Sequence, residues 1–139
     1  MKDSHAEPLL IALPKIEDPR GNLSFVQYGG GRAGVLPFEI ERVYWVYDVP
    51  GGETHLGRAL KTTTEAIIAM SGSFDVETDC GDGEMRRFTL NRSYNALIVP
   101  PGCWRRLGNF STNAVAMVVA SAVFSENDYI RDYTQFRKS

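Results

Sequence analysis

Runs of four to seven residues rich in β-branched and aromatic side chains recur along the chain at intervals of about 10 residues, each closed by Gly, Pro, Asn or Asp. That rhythm predicts an all-β sandwich or barrel. The predicted strands are 9–13, 22–28, 41–47, 58–61, 65–71, 74–78, 84–90, 95–99, 104–107 and 114–120. Asp79-Cys-Gly-Asp-Gly83 reads as a tight hairpin, because its glycines supply the positive φ such a turn needs. Only Ser125 to Arg137 suggests a short helix or turn, with Ser125 and Asp128 spaced as a capping box with a shorter acid. With no repeat, linker or low-complexity tract, residues 1–139 are expected to form one domain.

Composition narrows the function classes. Lys plus Arg is 15 against 17 for Asp plus Glu, a formal charge of -2, which supplies no electrostatic reason for a nucleic-acid partner. No apolar run approaches the roughly 20 residues that span a bilayer. The N-terminal apolar run lies between Pro8 and Pro14 and lacks a small-residue cleavage pattern, so a cytoplasmic protein is expected. Cys80 and Cys103 have no paired spacing and are expected to be free thiols in a reducing compartment.

Two spacings carry the chemistry. Gly52, five residues, Arg58-Ala59-Leu60, four residues, Glu65, six residues and Gly72 resemble the first motif of the cupins, whose fold is a double-stranded β-helix or jelly roll. Pro100, Gly102, Arg105 and Asn109 keep the spacing of the second cupin motif. In metal-binding cupins three of these positions are histidines. Here they are Arg58, Leu60 and Arg105, and Glu65 alone cannot hold a transition metal, so a metal-free site with no cofactor is expected.

A narrower resemblance rests on Asp18-Pro-Arg-Gly-Asn-Leu23, Leu36-Pro-Phe-Glu-Ile-Glu-Arg-Val-Tyr-Trp45, Ala69-Met-Ser-Gly-Ser-Phe74, Val99-Pro-Pro-Gly-Cys-Trp104, Asn109-Phe-Ser-Thr112 and Glu126-Asn-Asp-Tyr-Ile-Arg-Asp-Tyr133. The chain resembles the sugar-nucleotide 3,4-ketoisomerases, cupins that act on dTDP-4-keto-6-deoxyglucose in deoxysugar biosynthesis. The likeness runs from about residue 15 to the C-terminus. It implies a dTDP-linked sugar as ligand and a homodimer, with sheets packed together or the Pro8–Pro14 segment exchanged. Arg20 and Tyr44 match family positions. His55-Leu-Gly-Arg-Ala-Leu60 stands where members carry Arg-Gly-x-His-Ala-His, so the pair that moves protons in the family is Arg58 and Leu60 here.

Such an isomerase takes a proton from carbon 3, next to the carbon-4 ketone, and returns one to carbon 4 through an enediol. That requires a base titrating near working pH and donors aimed at the oxyanion. An arginine stabilises an enediolate but cannot form it. His55 is the first candidate base. Strict alternation sets it on the face opposite Arg58, unless Gly57 marks a bulge; an exposed loop histidine is the plain alternative. Tyr44 and Glu65 are weaker candidates. Arg20, Arg58 and Arg105 are candidates for a diphosphate site, and Tyr44, Trp45, Tyr47, Tyr94 and Trp104 for stacking a base or sugar, with core packing as the competing role. The expected set is therefore His55, Arg58 and Tyr44 for catalysis, and Arg20, Arg105, Glu65 and Trp104 for substrate. The competing function is a nucleotide-sugar-binding cupin that has lost the chemistry. Asn91 to Tyr94 and Lys61 to Thr64 read as solvated turns without a role.

Overall fold

Glu65–Ser71 is apolar at nearly every position up to Ala69, and a strand of that kind needs cover on both faces. The computed structural model, which describes residues 6–29 and 35–139, provides it. One five-stranded antiparallel sheet has the order β1 (Leu9–Ala12), β9 (Asn95–Val99), β6 (Glu65–Ser71), β11 (Val115–Ala120), β4 (Arg42–Val46). A second has the order β12 (Tyr129–Ile130), β5 (His55–Leu60), β10 (Trp104–Gly108), β7 (Phe74–Asp79), β8 (Arg86–Leu90). Two short strands, β2 (Lys15–Ile16) and β3 (Leu23–Ser24), pair separately, and a short helix α1 (Tyr133–Lys138) closes the chain. The architecture is the expected double-stranded β-helix.

The inner faces of the two sheets meet in a core that includes Ile67, Phe74, Val76, Leu97, Val99, Leu107 and Val118. Phe74 and Phe110 stack there with ring centroids 5.2 Å apart. The outer face of the first sheet is covered over Ala66, Ile68, Ala96, Ile98 and Val119 by Leu13, Leu36 and the half-buried Val26, Phe38 and Ile40. Each fully buried large apolar side chain contributes roughly 1.5–3 kcal/mol, so sheet one is held from both sides.

The turn signals fall where they were expected. Gly72 has φ 68°, and a Cβ there would lie 2.5 Å from the Ser111 hydroxyl, so only glycine fits between β6 and β7. Asn109, the last residue of the second motif, follows β10 in the left-handed region and donates from its Nδ2 to Asp75. The Asp79 to Gly83 hairpin joins β7 and β8, organised by the Asp79 carboxylate accepting from the backbone N–H groups of Gly81 and Gly83.

Four expectations change. The run 22–28 is strand only over Leu23–Ser24, with a single further bridge from Tyr28 to Leu36. Cys80 and Cys103 are not free: they form a disulfide, since the β7–β10 register pairs Asp79 with Trp104 and leaves the two cysteines opposite each other just beyond it. The helix cap is Asp132, whose carboxylate accepts from the N–H groups of Thr134 and Gln135, while Ser125 makes no side-chain cap. Asp128 instead accepts from the Thr62 N–H and the hydroxyls of Thr62 and Thr63, tying the C-terminal segment to the β5–β6 loop. The segment 61–64, which had no role in the sequence reading, is thus an anchor, with Thr63 buried.

Candidate active site

Four strands deliver charged and polar side chains to one end of the barrel interior. Tyr44 on β4 lies opposite Val118, and Glu65 on β6 opposite Val99; both partners belong to the inner core, so both side chains point inward. On β10, Arg105 pairs with Arg58 of β5, and Leu107 pairs with His55. Between these pairs one residue on β10, Arg106, opposes two on β5, which is a bulge at Leu56-Gly57. The bulge sets His55 and Arg58 on the same inward face, where they border one cavity with Tyr44, Glu65 and Arg105. Gly57 is required at this place, because a Cβ would lie 2.5 Å from the Trp104 indole.

The cluster is tightly wired. Glu65 is buried, with one carboxylate oxygen accepting from Arg105 Nη1 and the other from the Tyr44 hydroxyl at 2.7 Å. The Tyr44 oxygen in turn accepts from Arg58 Nη2. Burial and the neighbouring Glu65 carboxylate push the Tyr44 phenol above its usual value, so it stays protonated and donates. Burial disfavours the Arg105 cation and the Glu65 carboxylate opposes that, while a guanidinium starts high enough to remain charged. Burial first, and then the positive charge on Arg58, lower the His55 imidazole below its ordinary value. His55 is therefore neutral at neutral pH and free to accept a proton. Two guanidinium N–H groups here, Arg58 Nε and Arg105 Nη2, are buried without a partner among the described residues.

The innermost cavity is only about 10 Å³, room for about one water. Above it open two adjoining clefts of about 420 and 640 Å³. His55 and Arg58 border all three spaces, so they form the floor on which a ligand in the cleft would rest. Glu65 and Arg105 lie behind that floor. The cleft walls carry Arg42 and Arg131 with Trp45, Phe124 and Tyr129. The Arg131 guanidinium lies 4.4 Å from the Tyr129 ring centroid and is paired with Glu126, and Arg42 sits over both Tyr44 and Phe124.

Two expected site residues lie elsewhere. Arg20 is on an exposed turn, paired with Asp18 at 2.9 Å, and does not border the cleft. Trp104 faces outward from β10 and packs with Ala59 and Phe136 under α1, edge-on to Tyr133 at 5.3 Å. Regular alternation explains its position, since inward-pointing Arg105 follows it directly. Leu60, at the second histidine position, is buried. The sequence reading missed Arg42 and Arg131, although both lie inside segments that carry the family likeness. No three His, Cys, Asp or Glu side chains converge among the described residues, and Arg58, Leu60 and Arg105 at the motif positions do not fit a metal ion.

A barrel of this topology with a polar cluster at one end is a cupin. The family model described as FdtA, WxcM-like, C-terminal matches residues 6–139. The TDP-4-oxo-6-deoxy-α-D-glucose-3,4-oxoisomerase of Aneurinibacillus thermoaerophilus is 34% identical over 132 residues, covering 95% of this chain and 91% of that protein. Among solved structures, a 3,4-ketoisomerase from Helicobacter canadensis superposes with a TM-score of 0.88 at 30% identity, covering 96% of this chain and 97% of the other. QdtA, a sugar 3,4-ketoisomerase from Thermoanaerobacterium thermosaccharolyticum in complex with TDP, superposes with a TM-score of 0.87 at 29% identity, over 95% and 93% of the two chains. The chain belongs to the sugar 3,4-ketoisomerase family of cupins.

Proposed function

We propose that the protein isomerises a dTDP-linked 4-keto-6-deoxyhexose to its 3-keto isomer without a metal, in deoxysugar biosynthesis. The observation that carries this reading is the β5 bulge, which supplies an inward-facing imidazole beside Arg58 at the foot of an open cleft. In this mechanism His55 takes the proton from carbon 3. Arg58, which borders the cleft, stabilises the oxygen of the enediolate in a half-buried setting where a guanidinium donor counts for more than in water. Glu65 and Arg105 hold Arg58 in place from behind through Tyr44, which itself borders the cleft beside Arg58. The diphosphate is assigned to Arg42 and Arg131, whose planar donors suit it, with Trp45, Phe124 and Tyr129 beside them for the base or sugar ring.

Mixing the protein with dTDP-4-keto-6-deoxyglucose and following the sugar signals by NMR tests the reading. New 3-keto signals are expected; substrate left unchanged at stoichiometric enzyme overturns it. Calorimetric binding of dTDP without turnover identifies the binding-only cupin instead.

The homodimer is part of the same proposal. Edge strand β4 shows Val43 and Trp45 to solvent, 45% and 58% exposed, with Leu23, Tyr28 and Met70 also exposed. A second copy is the cover that family likeness favours for such a surface. In the single chain, β1 pairs with its own β9. Light scattering behind size-exclusion chromatography is expected to give twice the chain mass, and the chain mass alone removes the dimer. The cytoplasmic setting is likewise proposed, on the class of substrate.

A further inference from the structure

The Cys80–Cys103 disulfide lies between two residues on which the C-terminal helix is docked. We propose that this bond is a redox switch on the cleft: oxidised, it holds the C-terminal segment, and with it Tyr129 and Arg131, in place at the cleft wall, and reduced by a dithiol it releases them. The inference rests on the proposed ligand and cytoplasmic setting, and adds to them a control of ligand binding by two residues that do not border the cleft.

Asp79, directly before Cys80, is buried, and its carboxylate accepts from the Tyr133 hydroxyl at 2.7 Å and lies 3.5 Å from Arg137 Nη1. Trp104, directly after Cys103, packs against Tyr133 and Phe136 with ring centroids 5.3 and 5.8 Å away. Helix α1 thus stands on one residue of β7 and one of β10. These two form the last pair of the β7–β10 ladder, and beyond them the disulfide links the strands. Toward the cleft, α1 leads back through Arg131 to β12, which pairs with β5 only at Tyr129–Leu60 and Ile130–Ala59, and Ile130 packs into the Trp104 and Phe136 cluster. Tyr129 and Arg131 wall the cleft. The bonds from Thr62 and Thr63 to Asp128 fix the start of the segment without the disulfide, so the stretch after Asp128 is what the bond controls.

A barrel of this length, with one sheet covered on both faces, does not need a crosslink to fold. In a reducing compartment a disulfide follows the local thiol poise, and those that form there commonly act as redox sensors. Access is by local opening, since Cys80 and Cys103 are 4% and 1% exposed. Cys103 Sγ lies 3.8 Å from the carbonyl oxygen of Ala6, in an exposed stretch tied down by a Glu7–Arg86 ion pair at 3.6 Å, a surface contact of small worth. When that stretch lifts, one thiolate of a dithiol attacks a cysteine sulfur, the S–S bond breaks and the other cysteine leaves as a thiolate. The dithiol's second thiolate then displaces the mixed disulfide. Two electrons pass to the protein, both cysteines end as thiols, and the dithiol ends as its own disulfide.

The test treats the full chain with dithiothreitol under native conditions. Alkylation read by mass counts thiols, amide hydrogen exchange follows residues 129–138, and calorimetry measures dTDP binding. Reduction is expected to free both thiols, speed exchange over 129–138 and weaken dTDP binding roughly tenfold, with affinity restored by oxidised glutathione. The double variant Cys80→Ala with Cys103→Ala is expected to match the reduced protein and ignore dithiothreitol; where it does not fold, the reduced parent chain decides alone. Free thiols in protein kept without reductant overturn the proposal. So does a bond that resists dithiothreitol until the protein unfolds, and so does reduction that leaves exchange and affinity unchanged. Faster exchange on reduction with dTDP bound in neither state keeps the lock and overturns the proposed ligand instead.

Discussion

Replacement of His55 by glutamine is expected to lower kcat by roughly 10²–10⁴-fold, the range a general base contributes, while dTDP binding and the thermal midpoint stay near those of the parent protein. The side chain is half-buried and no hydrogen bond from it anchors the fold among those described, so its loss removes chemistry rather than packing. A decisive companion measurement is exchange of the carbon-3 hydrogen in D₂O, which is expected to stop in His55→Gln. Continued exchange at the parent rate would assign the base to another group. The pH profile has a definite sign. Since burial and Arg58 depress the His55 pKa, the imidazole stays neutral below the ordinary value of 6.5, and kcat/KM is expected to fall only as pH drops through that lowered value. A limb at or above 6.5 contradicts this environment.

The way His55 reaches the site explains what was and was not legible in the sequence. Strand periodicity has a period of two, so a residue three positions before Arg58 belongs on the opposite face. Only an inserted residue changes that parity, and Gly57 was the visible hint; what demands glycine there is Trp104, a neighbour in space whose indole fills the place of a Cβ. Glycines and prolines of both motifs were readable because turn geometry is local. Arg42 and Arg131 were not, since their convergence joins strand β4 to the segment after β12, far apart in the chain. The same reason hid the disulfide. Cys80 and Cys103 are 23 residues apart, and it is the pairing of β7 with β10 that brings them together. The Ser125 cap was a plausible local signal, but Asp128 is held by Thr62 and Thr63, and Asp132 caps the helix instead.

The largest effect on stability is expected at Glu65. Its carboxylate and the Arg105 guanidinium are 1% and 2% exposed, so neither charge is solvated and each depends on the other. Glu65→Gln keeps the size and an acceptor for Tyr44 but leaves the Arg105 cation buried without its counter-charge. Breaking one side of such a pair costs about 3–5 kcal/mol, and in a domain of this size the thermal midpoint is expected to drop by roughly 10 °C or more. The pair as a whole is another matter, because two buried ions recover little beyond their lost hydration. The double variant Glu65→Gln with Arg105→Met is therefore expected to regain most of that loss, a coupling a double-mutant cycle reads directly. If Glu65→Gln unfolds at the parent temperature, or the second substitution adds its own penalty in full, the two groups are not a coupled buried pair. The regained fold should still turn over slowly, because Tyr44 and Arg58 have then lost the carboxylate that orders them above the cavity. Stability and catalysis part company in that variant, which separates what Glu65 does for the barrel from what it does for Arg58.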